Sequence, residues 1–366
     1  MNRIILKPGE EDRNLRGHPW VYDNEIAEDI AGSTPGECAD IESHDKKYIG
    51  RAFINPHSKI RARIFSHSKE GVDKGFFKRR IREAIKRRED FYDLKHESAR
   101  LVFGEADFLP GLVVDKFTGR GGESAAASWL SVQFLTAAMD IRRDEIVEAL
   151  IDVMDSSFGG APAGIMERGE AGVRKLEGLP RRSGVIYGSV PENGIVINEN
   201  GIPLFVDLAA GQKTGHFLDQ KKNRATAAAF AGGERCLDAC CHTGAFALHA
   251  AKAGAEKILA FDVSPRALSM VKRNAELNSV QDKIETAAGD IFDILRGLER
   301  GNERFGWIVL DPPAFAKSAS SLEGAIRGYK EINLRALNLL KKGGVLISCS
   351  CSAALREEAF KQIIAS

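Results

Sequence analysis

The sequence has no apolar run long enough to span a bilayer, no secretory signal at Met1, no paired CxxC spacing and almost no net charge. Each absence excludes something. A spanning helix needs about 20 apolar residues, so no membrane-spanning helix and no membrane partner are expected. Without a secretory signal the expected location is cytoplasmic. Cysteine is scarce, six in 366 residues, and in such a cytosol-like protein disulfides are not expected. Without CxxC pairs no metal site is expected either. Lys and Arg total 52 against 51 Asp and Glu. The overall charge therefore does not announce nucleic acid, and any basic surface must be local. No internal repeat is apparent. The length allows two or three domains.

What is present is organised around residues 235–262, RCLDACCHTGAFALHAAKAGAEKILAFD. Cys236 and Leu237 open a short apolar strand, and Thr243 and Gly244 make a turn. Phe246, Leu248, Ala251 and Ala255 recur at roughly helical spacing, which predicts a helix burying that face. Residues 258–261 form the next buried strand, with Asp262 at its carboxyl end. This is half of a doubly wound nucleotide-binding unit, whose ligand is expected at the carboxyl ends of the strands. A carboxylate there suits a ribose, because two hydroxyls can donate to it. One obvious glycine, in place of the three of a dinucleotide fingerprint, argues against NAD.

The second half continues the alternation. Gly289 and Asp290 follow another strand. FGWIVLDPPAFAKS places Asp311, Pro312 and Pro313 at the end of a buried one. A helix with Tyr329, Asn333 and Leu337 follows, then a turn at residues 341–344. VLISCSCS is read as a buried strand ending in Cys349 and Cys351. Carboxylates at successive strand ends, Asp238, Asp262, Asp290 and Asp311, resemble the class I S-adenosylmethionine-dependent methyltransferases. The expected fold class is α/β: a doubly wound class I methyltransferase sheet preceded by a small PUA-like β-barrel and a middle α/β domain.

Residues 1–70 read as the small β domain. Strands are predicted at 38–41, 48–53 and 60–65, with a Gly-rich turn before His18-Pro19-Trp20. Lys7, Arg13, Arg16, Lys59, Arg61 and Arg63 make it basic. The Gly-His-Pro-Trp-Val segment and the loop from Asn55 to Arg61 resemble a PUA domain, which implies RNA binding. In KGFFKRRIREAIKRREDFY, Phe76, Phe77, Ile81, Ile85 and Phe91 fall on one helix face. Lys78, Arg79, Arg82, Lys86 and Arg87 cover the rest. That is either a solvated face or a phosphate contact. Residues 71–193 read as the middle α/β domain. It has a hairpin at Leu109-Pro110-Gly111, a mobile loop tip at GRGGESAAAS, an amphipathic helix, and a polar run carrying Arg168, Arg174 and Glu177. Residues 194–366 form the methyltransferase domain. Its first polar segment, GQKTGHFLDQKKNR, has Gly211, Thr214 and Gly215 for close backbone approach. Asp219, Gln220, Asn223 and Arg224 can fold back over the cofactor, and Asp219 can instead cap a helix beginning at Gln220.

GQKTGHFLDQKKNR, CLDACCHTGAFALHAA, FDVSPRALSMVKRNAELN, LDPPAFAKS, GYKEINLRALNLLKKGG and SCSCS stand in the order found in the large-subunit ribosomal RNA cytosine-C5 methyltransferases of the methyltransferase I type, which this chain resembles over nearly its whole length. The resemblance implies methyl transfer from S-adenosylmethionine to C5 of a cytosine in 23S ribosomal RNA. It implies cofactor contacts from Phe217, Asp219, Gln220, Asn223, Arg224, Asp238, Thr243, Gly244, Asp262, Ser264, Asp290 and Asp311. It places catalysis on Cys351, Asp311 and Pro312, and RNA contacts on Lys7, Arg16, Arg61, Arg79 and Arg82. The partner is ribosomal RNA, and a homodimer is left open. The family has an aromatic residue where His242 stands. It also continues through two further strands, so this chain is expected to stop inside a helix with an open sheet edge.

C5 of cytosine is a poor nucleophile, and a thiolate adding to C6 makes it enamine-like. Cys351 is preferred over Cys349 because it lies farther along the strand, where ligands gather, and because Ser350 and Ser352 flank it as in the family. If the strand continues, the two cysteines share a side. Two other readings stay open: methylation of a purine amine or ring nitrogen without a cysteine nucleophile, and a non-catalytic RNA-binding protein.

Overall fold

A computed structural model describes residues 2–27, 32–122, 126–170, 172–209, 215–316, 321–352 and 354–365. The chain divides into two units. The first is Met1–Ile197 with Val206–Leu218, and the second is Asn198–Phe205 with Asp219–Ser366.

The first unit begins with β1 (Asn2–Ile5), α1 (Asp12–Leu15), β2 (Trp20–Tyr22), β3 (Cys38–Glu42), β4 (Tyr48–Ile54) and β5 (Ile60–Ser66). The strands form one sheet in the order β1-β3-β4-β5-β2. A bridge between Leu6 and Ile26 joins the continuations of the two outer strands, so the sheet curls onto itself around Ile4, Val21, Ile41, Ile54 and Ile64. The expected Gly-rich turn contains α1. Buried Asn14 braces it by donating to the carbonyls of His18 and Trp20 at 2.7 and 2.9 Å.

Then follow α2 (Phe76–Glu89), β6 (Ala99–Phe103), β7 (Leu112–Arg120), β8 (Ala127–Phe134), α3 (Ala137–Ile141), α4 (Arg143–Phe158), β9 (Gly164–Gly169), α5 (Val173–Leu176), β10 (Arg182–Gly188) and β11 (Ile195–Glu199). The sheet path is β10-β9-β8-β7-β11, with β6 beside β7. Phe76, Phe77, Ile81 and Ile85 of α2 are buried in a core shared with β7, β8 and α4. Each contributes about 1.5–3 kcal/mol. Phe91 lies beyond the helix and is 67% exposed, so it does not extend that face.

The polar run around Arg168, Arg174 and Glu177 is internal. Every residue of β9 is buried, and its charges are paired, as buried charges must be. Glu167 meets Arg143 at 2.6 Å and Arg174 meets Asp140 at 2.8 Å. Glu177 accepts from Arg63, Asn55 and Ser58 at 3.0, 3.0 and 2.8 Å. Arg63 is therefore a buried tie between the small β-sheet and the α/β part, not surface charge. Residues 123–125 of the expected loop tip lie outside the described residues, as do Gly211 and Thr214. Gly215, at φ 118°, does allow a close approach: a Cβ there would meet Leu208 at 3.2 Å.

The second unit receives the chain through β12 (Ile202–Val206). It continues with α6 (Lys221–Ala228), β13 (Arg235–Ala239), α7 (Ala245–Lys252), β14 (Lys257–Asp262), α8 (Pro265–Leu277), β15 (Ile284–Ala288), α9 (Ile291–Arg300), β16 (Phe305–Leu310), α10 (Leu322–Leu339), β17 (Leu340–Ser348) and α11 (Glu357–Ala365). The sheet is parallel, in the order β15-β14-β13-β16-β17. The chain runs outward from β13 through β14 to β15, then restarts on the other side with β16. That reversal creates a crevice at the carboxyl ends of β13, β14 and β16.

Four local expectations change here. Residues 341–344 bulge within β17, where Phe305 pairs with Leu340 but Trp307 pairs with Val345. β17 is half-buried rather than buried, because it lies at the sheet edge. It ends at Ser348, so Cys349 and Cys351 lie beyond it and strand alternation does not orient them. Asp219 does not cap α6: Gln220 holds the cap position, without a side-chain bond.

Candidate active site

The crevice is lined by carboxylates because each parallel strand delivers its last residues to the same end. Asp238 of β13 is fully buried. Its Oδ2 accepts from the Ala247 amide at 2.9 Å, in the first turn of α7. Its Oδ1 has no partner among the described residues. Burial pushes its carboxyl up to about 7, and the charges of Asp311 and Asp262 push the same way. An orphaned carboxylate oxygen of this kind calls for a donor or a cation.

The turn after β13 is strained in a useful way. Cys240 and His242 have φ of 60° and 49°, and Gly244 has 79°. A Cβ at Gly244 would stand 2.9 Å from Val271, so only glycine fits there. The turn backbone can thus pack close against α8. Asp262 fixes this turn: Oδ2 accepts from His242 N at 3.0 Å and Oδ1 from Ser264 N at 2.9 Å. Ser264 caps α8 by accepting from Ala267 N at 3.2 Å. Thr243 is tied through its carbonyl to Asn274 Nδ2 at 3.2 Å. Asp290 caps α9, accepting from Phe292 N at 2.8 Å, and is exposed.

Asp311 follows β16. Its Oδ2 accepts from Gln220 at 3.5 Å, and Gln220 Oε1 in turn accepts from Asn223 at 2.6 Å. Asp219 is exposed nearby in sequence. Arg224 is differently employed: it is buried and paired with both oxygens of Glu199 at 2.6 and 2.8 Å. Phe217 belongs to the first unit and is half-buried.

The cysteines separate cleanly. Cys351 is the exposed one of the six. Its thiol donates to the carbonyl of Pro312, Sγ to O 3.5 Å. Burial pushes Cys349 up to about 12, with Asp311 adding to it. Cys236 and Cys240 are also pushed to about 12 by burial, and Cys241 well above 9.0. Burial likewise raises Cys38.

Tyr329 and the two serines were missed as a functional set. Tyr329, fully buried on α10, accepts from Ser350 Oγ at 3.0 Å and shares a hydrogen bond with Ser352 Oγ at 3.0 Å. Ser352 Oγ also accepts from Ala316 N at 3.0 Å. Both neighbours of Cys351 are thereby pinned. The Ser-Cys-Ser pattern carried that signal, but nothing in sequence pointed to Tyr329 as its anchor. Among the described residues, no group of three or more His, Cys, Asp or Glu side chains could hold a metal.

Of the basic candidates, Lys7 donates to the Asn24 carbonyl at 2.7 Å and Arg61 to that of Ser58 at 3.1 Å. Arg79 is exposed and pairs with Glu70 and Asp73 at 3.3 and 3.2 Å. Arg16 and Arg82 are exposed.

Residues 4–67 match the PUA-like domain, and residues 117–363 match the S-adenosylmethionine-dependent methyltransferase family. A ribosomal RNA large subunit methyltransferase I of Shewanella denitrificans is 40% identical, over 99% of this chain and 89% of its own length. The enzyme of that name from Vibrio vulnificus is 36% identical, over 99% and 88%. In fold, the chain is similar to a crystal structure assigned as a methyltransferase and complexed with SAH. That likeness has a TM-score of 0.82 at 22% identity, covering 100% of this chain and 90% of the other. The chain belongs to the S-adenosylmethionine-dependent methyltransferase family, among the ribosomal RNA large subunit methyltransferases I, and S-adenosylmethionine is its cofactor.

Proposed function

We propose that this chain methylates C5 of a cytosine in 23S ribosomal RNA, in the cytoplasm, through a covalent adduct at Cys351. The observation that carries the reading is the exposed Cys351 thiol against the Pro312 carbonyl, while the other five thiols are raised by burial. In this reading residues 1–70 are the RNA-binding domain, 71–193 the middle domain and 194–366 the catalytic one. Lys7, Arg16, Arg61, Arg79 and Arg82 meet the RNA backbone.

The crevice suits the cofactor on chemical grounds. Asp262 offers its carboxylate to the ribose hydroxyls, Asp290 to the adenine amine, and the orphaned oxygen of Asp238 to the cationic amino-acid end. Thr243 and Gly244 let the backbone come close, and Gln220 and Asn223 brace Asp311. Asp219 and Ser264 complete the set. Arg224 acts through Glu199, by fixing α6. Bound S-adenosylmethionine supplies an electrophilic methyl group.

The chain's own groups do the rest. The Cys351 thiolate adds to C6, and the C5–C6 electron pair makes C5 nucleophilic. Asp311 accepts from the exocyclic amine and fixes the ring, with Pro312 and Pro313 shaping the wall. After methylation, loss of the C5 proton returns the pair to C5–C6 and expels the thiolate. A structured RNA must present its base unstacked. RNA containing 5-fluorocytosine has no C5 proton to lose, so it should trap the wild-type enzyme covalently and leave Cys351→Ala untrapped. Equal trapping of both would overturn the assignment.

A further inference from the structure

Two phenylalanine rings stand exposed at either end of one short turn in the first unit. Phe103 ends β6, and Phe108 follows the 3-10 turn Gly104–Asp107. They are 53% and 37% exposed. Phe108 has φ 56° and ψ 30°, a left-handed conformation that a bulky residue holds only at a cost. Glycine or asparagine would sit there more easily. The turn is nonetheless rigid. Asp107, buried, accepts from the Phe103 amide at 2.6 Å, from Arg88 at 2.6 and 2.9 Å, and from Arg87 at 3.0 Å.

Each ring also carries a cation. The Arg100 guanidinium stands 5.1 Å from the Phe103 centroid and is held by Asp115 at 2.7 and 2.9 Å. Arg80 stands 5.4 Å from the Phe108 centroid. The exposed His67 ring meets Phe108 edge-on at 6.4 Å. On α2, whose Arg87 and Arg88 hold the turn, Arg82 and Lys86 are exposed.

Rigid exposed aromatic faces beside arginines suit stacked nucleobases on a phosphodiester backbone, because every base has a π face and every linkage a charge. We propose that Phe103 and Phe108 form a stacking platform for unpaired nucleotides of the RNA substrate. The proposal rests on the reading of this chain as an RNA enzyme and adds where single-stranded RNA lies. It involves neither the crevice nor the basic residues already assigned, apart from Arg82 as a neighbour.

The test compares wild type with the full-length double variant Phe103→Ala/Phe108→Asn; asparagine keeps the left-handed turn. Fluorescence anisotropy at fixed salt measures binding to a mixed-sequence single-stranded oligoribonucleotide and to a hairpin duplex of equal length. The variant should bind the single strand about tenfold or more weakly, with duplex and S-adenosylmethionine affinities unchanged. Equal single-strand binding overturns the platform and leaves the RNA reading standing. Equal losses on strand and duplex also overturn it, since stacking needs unpaired bases. A wild type that binds neither RNA overturns both readings together. Phe103→Trp guards against a folding artefact: it enlarges the π face, and weaker single-strand binding by it counts against the platform.

Discussion

The Cys351 thiol donates to the carbonyl oxygen of Pro312, 3.5 Å away, and so sits against the Asp311-Pro312-Pro313 wall rather than in the sheet. Cys349, two residues earlier, bonds through its amide to the Leu310 carbonyl at 2.8 Å, and its thiol is half-buried. Cys351→Ala should therefore abolish methylation while leaving S-adenosylmethionine binding by calorimetry intact. Cys349→Ala should keep covalent trapping by 5-fluorocytosine RNA. Methylation retained by Cys351→Ala would favour the alternative chemistry at a purine amine or ring nitrogen.

Tyr329 supplies the second prediction. Tyr329→Phe removes the hydroxyl that accepts from Ser350 and meets Ser352. Orphaned buried hydroxyls cost about 1–3 kcal/mol, so the melting temperature should fall modestly. A positioning role demands more. Turnover should fall at least tenfold with the KM for RNA and the cofactor affinity unchanged. If turnover falls only in proportion to the folded fraction, Tyr329 is merely packing.

Much of the catalytic unit was legible because its signals are local. Strand, turn and helix from Arg235 to Asp262 follow one another within 28 residues, and each carboxylate closes its own strand. The failures share a different cause. Arg174 and Glu177 read only as part of a polar run because their partners Asp140, Asn55, Ser58 and Arg63 are far away in sequence. Arg63 was counted with the basic residues of the small β domain for the same reason. Cys349 and Cys351 were placed on a strand because VLIS reads as one, but the strand pairs only as far as Leu310 with Ser348. Periodicity cannot say where a neighbouring strand stops.

Asp262 carries two loop amides, His242 N and Ser264 N, and the proposed function gives it the ribose hydroxyls as well. Asp262→Ala should weaken S-adenosylmethionine binding by about 1–3 kcal/mol. Calorimetry with Asp262→Asn as the conservative control separates lost charge from a lost turn. Unchanged affinity in both variants would move the ribose site elsewhere.

Arg82 is exposed on α2 and forms none of the ion pairs that engage Arg79, Arg80 and Arg87. If it meets a phosphate, Arg82→Ala should weaken RNA binding similarly for all sequences. The slope of log affinity against log salt should shrink by about one. A salt slope identical to that of wild type would remove Arg82 from the interface.

Asp238 makes stability depend on pH with an unusual sign. Its carboxyl is raised from 3.8 to about 7, chiefly by burial and then by the neighbouring Asp311 and Asp262. Between those values the native state holds a proton that the unfolded chain has released. The unfolded state therefore binds fewer protons, and this group's contribution to stability falls as pH rises from about 4 to about 7, then levels off. Paired carboxylates elsewhere slope the other way, so the measurement must be a difference. Urea unfolding of wild type and Asp238→Asn should show the variant gaining relative stability as pH rises through that window. The asparagine keeps an oxygen for the Ala247 amide, which isolates the charge. A positively charged cofactor favours ionised Asp238, so wild-type S-adenosylmethionine affinity should rise towards pH of about 7 and the variant's should not. Parallel stability profiles for the two proteins would show that Asp238 is ionised throughout, and the orphaned oxygen would then need another explanation.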